Sequence, residues 1–66
     1  MELIDRIAKN IEAKRDDLSI DKLSKKADIP ASTIIKVLRK EVKDVRVSTL
    51  EALAKAFNCK VDDLLK

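Results

Sequence analysis

Five cations stand close together in the middle of the chain: Lys36, Arg39, Lys40, Lys43 and Arg46, opposed between residues 29 and 50 only by Glu41 and Asp44. The stretches on either side carry acids and bases in equal number, so the whole net charge of +3 resides in this segment. Ser32 and Thr33 precede the cations within it and add hydroxyls. Ammonium and guanidinium groups beside short hydroxyl side chains suit phosphate oxygens, and Lys and Ser also pair with base edges in a DNA groove. A run of cations is more often simply a solvated helix face, and on charge alone that reading is the favoured one.

Other chemistries find little material. The chain has no His, which removes the commonest general base, and its single Cys, Cys59, has neither a base nor a glycine-rich loop to make it a nucleophile. Asp16 with Asp17 and Asp62 with Asp63 are paired only in sequence, because neighbours on a helix point about 100° apart. The first pair suits a solvated loop, and the second suits the positive start of a helix. One thiol and scattered carboxylates do not make a transition-metal site. No catalytic, metal or cofactor role is therefore expected, and no enzyme activity.

The elements that must position the cations are helical. The composition has no Gly, one Pro and one aromatic residue, and is rich in Leu, Ile, Ala, Lys and Glu. Such a chain packs aliphatic side chains between helices. Apolar residues at 3, 4, 7, 8 and 11 predict a helix over about 2 to 14. Leu18 in the following connector is expected to plug the core. Ser19 is placed to cap a helix over about 20 to 27 that buries Leu23 and Ala27. Pro30 forces Ile29 to be extended and suits the first turn of a helix over about 31 to 39, in which Ile34 and Val37 face inward and Ile35 projects outward. A polar connector follows, with Val42, Val45 and Val47 as expected tethers. Ser48 and Glu51 spell a capping box for a helix over 48 to 57 that buries Leu50, Leu53, Ala54 and Phe57, although Arg46 is an alternative start. Asn58 suits a left-handed stop, Cys59 is expected to point inward, and a last helix is expected over 61 to 65. The result is a single all-α domain over 1–66.

The succession "LSIDKLSKKADIPASTIIKVLRK" followed by "STLEALAKAFNCKVDDLL" resembles the helix-turn-helix domain of the lambda-repressor and Cro-like regulators, whose usual ending is close to "TLxxLAKALxxxxDDLL". The resemblance implies a compact five-helix, lambda-repressor-like fold, with a helix-turn-helix formed by the second and third helices. It also implies a transcriptional regulator that lays the third helix in the major groove of double-stranded DNA. The base-reading positions then fall on Ala31, Ser32 and Lys36, with Ile35 beside them. Phosphate contacts fall to Thr33, Arg39, Lys40 and Lys43, helped by Lys25 and Lys26. Repressors of this kind dimerise, and two half-sites about 34 Å apart would be read by a homodimer. The sequence departs from the pattern at Ile20, where a phosphate-binding Gln is common, at Asp28, where the turn commonly has Gly, and at Ile35 and Leu38.

Ile20, Ile35 and Leu38 support a second reading, an apolar face that binds a protein partner or another copy of the chain. An unpaired Cys59 and the lack of an apolar run of about 20 residues suggest a cytoplasmic protein that neither crosses a membrane nor is processed. No effector segment is evident, so no small-molecule ligand is expected.

Overall fold

The computed structural model describes residues 2–66 and arranges them as α1 (Leu3–Arg15), α2 (Ile20–Ala27), α3 (Ala31–Leu38), α4 (Val47–Ala56) and α5 (Val61–Leu65). There is no strand among the described residues. The aliphatic core draws Ile4, Ile7 and Ile11 from α1, Leu23 from α2, Ile34 and Val37 from α3, Leu50 and Leu53 from α4, and Leu64 from α5. Helix α1 lies against α3 and α5, α2 lies against α3 and α4, and α4 closes on α5. Every helix therefore covers part of one core, and the described residues together measure 28 × 22 × 22 Å.

Local chemistry sets the helix boundaries. The Glu2 N–H donates to Asp5 Oδ2 at 3.1 Å, which satisfies one of the free donors at the start of α1. Ser19 accepts from the Lys22 N–H at 3.2 Å and caps α2 as its residue type requires. Asp63 accepts from the Lys60 N–H at 3.1 Å at the start of α5. That bond, and Lys66 beside it, hold the Asp63 carboxyl below the usual carboxylate range. Arg15 ends α1 by donating to Glu12 and to the Leu18 carbonyl at 3.1 Å, and Leu18 then reaches the edge of the core as expected.

Because the chain has no glycine, four other residues take positive φ: Asp16, Asp28, Lys40 and Asn58. Asp28 and Asn58 are of types that tolerate the left-handed region. Asp16 is the most costly, because φ 50 with ψ −116 is a conformation that only glycine adopts freely. Asp16→Gly is expected to stabilise the domain by about 1 kcal/mol. That corresponds to a rise of about 4–8 °C in the thermal midpoint of so small a domain. A calorimetric scan checks it.

Five expectations are corrected, the first being Phe57, which is the C-cap of α4 and only half-buried against the core. Val47 is 64% exposed and is not a tether, whereas Val42 and Val45 do pack against the core. The cause is that α4 begins at Val47 with Arg46 as its N-cap, so Val47 turns outward. Ser48 therefore lies inside the helix and forms no capping box with Glu51. Leu3, at 48% exposed, sits off the inward stripe of α1 formed by Ile4, Ile7, Ala8 and Ile11. Pro30 is the N-cap of α3 and not a residue of its first turn; its carbonyl accepts from the Thr33 and Ile34 N–H groups.

Candidate nucleic-acid interface

Helix α3 presents one continuous outer face. Successive residues turn about 100°, which puts Ser32, Ile35, Lys36 and Arg39 together on the side opposite Ile34 and Val37. All four are exposed, while Ile34 and Val37 are buried. Ile34 and Ile35, adjacent in sequence, thus divide between core and surface, and Ile35 is 41% exposed. Ala31 and Thr33 flank the face and are half-buried. Pro30 offers no side-chain cap, so the N–H groups of Ala31 and Ser32 emerge from the helix without an intrahelical partner.

The two flanks of α3 differ in charge. On one side is a groove shared with the α3–α4 connector, where Thr33 and Lys36 meet Asp44, Arg46 and Thr49. Lys43 is exposed in the same connector. On the other side Leu38 and Lys40 meet Asp5, Lys9 and Glu12 of α1, and cations and carboxylates balance. Lys40 Nζ lies 3.1 Å from Asp5 Oδ1. Its backbone is left-handed at φ 60, and its N–H donates to the Val37 carbonyl at 3.0 Å, which stops α3. One carboxylate therefore caps α1 through one oxygen and holds the end of α3 through the other.

The Lys40 ammonium, followed by the Glu2 N–H, draws the Asp5 carboxyl below its ordinary range. A depressed pKa in the folded state means that Asp5 stabilises the fold above the ordinary carboxylate pKa. That stabilisation is lost as the pH falls through the lower, folded value. Asp5→Asn is expected to flatten this part of the acid limb of stability against pH, measured by urea unfolding at successive pH values.

The cations expected to meet phosphate are thus not all brought to one place. Arg39 and Lys36 lie on the outer face, and Lys43 stands beside the basic flank. Lys25 is exposed on α2. Lys26 instead lines a groove with Ala52, Lys55 and Ala56, on the side of α2 that faces α4. Lys40 is held by Asp5. Arg46, which the sequence placed in the basic run but not among the phosphate contacts, stands with Lys36 and Thr33. Its membership of the central basic run was the available signal.

The apolar face proposed from sequence is not an open patch. Ile20 and Leu38 are half-buried against the core, and only Ile35 of the three is exposed. Both are drawn in because their helices pack at those positions, α2 beginning at Ile20 and Leu38 facing α1.

Two short helices joined through a left-handed Asp28, with the second offering a polar and basic outer face, constitute a helix-turn-helix. The family model of the Cro/C1-type HTH DNA-binding domain matches residues 3–66. The chain belongs to that family of DNA-binding regulator domains. Neither a search of curated proteins nor a search of solved structures gave a match. No helix among the described residues is long and apolar enough to cross a membrane.

Proposed function

We propose that the protein is a sequence-specific regulator of transcription that reads the major groove of double-stranded DNA with α3, acting as a homodimer in the cytoplasm. The observation that carries this is the single exposed face formed by Ser32, Ile35, Lys36 and Arg39. Lys36 suits guanine O6 and N7, Ser32 suits several base edges, and the side chains of Ala31 and Ile35 suit thymine methyl groups. Arg39, Lys43, Thr33 and Lys25 are the phosphate contacts, with Arg46 added to them. Lys26, which turns towards α4, and Lys40, which is paired with Asp5, have weaker claims.

Few hydrogen-bonding groups face the bases in this arrangement. Methyl contacts and DNA shape therefore carry much of the discrimination, while phosphate charge supplies affinity. The test is the affinity for duplex DNA as salt is raised. Each neutralised phosphate contributes about −0.9 to the log–log slope, so four or five cations give a slope near −4 for each protomer and about twice that for the dimer. Absence of DNA binding at low salt would remove the proposal. Ile35 as a protein-binding residue is the second reading, and its exposure is what favours it. Loss of self-association on Ile35→Asp, by sedimentation, would support that reading.

A further inference from the structure

The corner between α2 and α3 is made without glycine, and its bonds converge on Ser24. The Ser24 carbonyl accepts from the Asp28 N–H and from the Ile29 N–H, the latter at 3.1 Å. The Ser24 hydroxyl donates to the Ile29 carbonyl. Ser24 and Ile29 thus exchange a reciprocal pair of hydrogen bonds across the turn.

The need for the second bond follows from Pro30. The Thr33 and Ile34 N–H groups both go to the Pro30 carbonyl, at 3.0 and 3.3 Å, so the Ile29 carbonyl lies outside the ladder of α3. Ile29 is itself buried, and a buried carbonyl without a donor is unfavourable. Pro30 is fixed by its ring at φ −56, and Asp28 is set at φ 58, ψ 45. The backbone rotations at Ile29 are the joint that remains, and the Ser24 hydroxyl holds its carbonyl oxygen.

We propose that Ser24 is a positioning residue for DNA reading, its reciprocal bonds with Ile29 setting the angle at which α3 meets the groove. This rests on the outer face of α3 being the reading surface. From the joint to Lys36 is about 9 Å along the helix at 1.5 Å per residue. A tilt of roughly 10° at the joint moves Lys36 by more than about 1 Å, beyond the roughly 0.5 Å within which a binding constellation must be held. Long cationic side chains reach phosphates despite such a tilt, whereas Ser32 and Ile35 cannot follow a displaced base. Loss of the clasp therefore acts on discrimination more than on charge-driven affinity.

The experiment compares affinity for a sequence selected by the wild-type protein with affinity for random duplex DNA of equal length, below the melting midpoint of each variant. Ser24→Ala is expected to reduce the ratio of the two roughly tenfold, the size of one mismatched base pair, while Ser24→Thr, which keeps the hydroxyl, retains most of it. A second variant separates positioning from stability. Adding Asp28→Gly to Ser24→Ala relieves the left-handed turn and is expected to restore the melting midpoint without restoring the ratio. Recovery of both together, or an equal loss of selected and random binding in Ser24→Ala, overturns the proposal. If the wild-type protein itself shows no preference, it is the DNA-reading assignment that fails, and the role of Ser24 fails with it.

Discussion

Lys36→Ala combined with Arg39→Ala is expected to weaken DNA binding by about a hundredfold to ten-thousandfold at low salt. Two charge-assisted contacts at about 1.5–3 kcal/mol each set that range. The two cations occupy the outer face of α3, where the core requires neither of them. Both are exposed and without an ion-pair partner among the described residues, so their removal leaves no buried charge behind and stability should change little. The salt slope should become shallower by about 1 for each protomer, from the phosphate contact of Arg39, while the loss of Lys36 falls on the guanine contact. Lys55→Ala with Lys60→Ala makes the same change in net charge at the groove between α2 and α4 and at the start of α5. That control should retain most of the affinity. Equal loss in both double variants would mean that general charge, and not α3, attracts DNA. Measurement of affinity at several salt concentrations decides between them.

Leu23→Ala is expected to leave the domain largely unfolded at physiological temperature. Leu23 is fully buried and lies in the core that α2 shares with α3 and α4. Truncating a buried leucine costs about 2–5 kcal/mol. A chain of this length has a total stability of about 3–10 kcal/mol at the usual value per residue. Small domains cannot absorb such a loss, because they bury a smaller fraction of their surface. The helical circular dichroism signal and the urea midpoint should both fall, and DNA binding should fall with them. Leu23→Met, which nearly conserves volume, should cost less than about 1.5 kcal/mol. A Leu23→Ala protein with an unchanged urea midpoint would show that the core is not centred where α2, α3 and α4 meet.

The stability of the fold and the exposure of α3 are thus linked through adjacent residues. Ile34 and Val37 face the core, and that orientation is what turns Ser32, Ile35, Lys36 and Arg39 outward. This much was legible in the sequence, because helical periodicity assigns inward and outward faces without knowledge of neighbours. The cap at Ser19 and the left-handed stop at Asn58 were legible for the same reason: each depends on one residue type acting locally.

What depended on contacts between elements was not legible. Lys40 reads as one more cation in a basic run until α1 brings Asp5 within 3.1 Å of it. Lys26 belongs to the same helix as Ser24, yet faces α4, while Ser24 bonds across to Ile29. Periodicity gives the angular separation of such residues but not which neighbour each side meets. The exposure of Val47 was missed through a shift of one residue in the start of α4, enough to rotate a side chain by about 100°. The Ser24–Ile29 bond left no sequence signal, since serine inside a helix often points to solvent.

The central question is whether α3 reads bases, and it is answered most directly by selecting bound sequences from a pool of random duplex DNA with the wild-type protein and with Ile35→Ala. If the outer face of α3 lies in the major groove, the wild-type protein recovers a short motif repeated with twofold symmetry. Ile35→Ala then loosens the preference at one position in each half-site more than it lowers affinity. Recovery of the same motif, equally sharp at every position, from both proteins would contradict the placement of Ile35 in the groove, and with it the assignment of the exposed face of α3 as the reading surface.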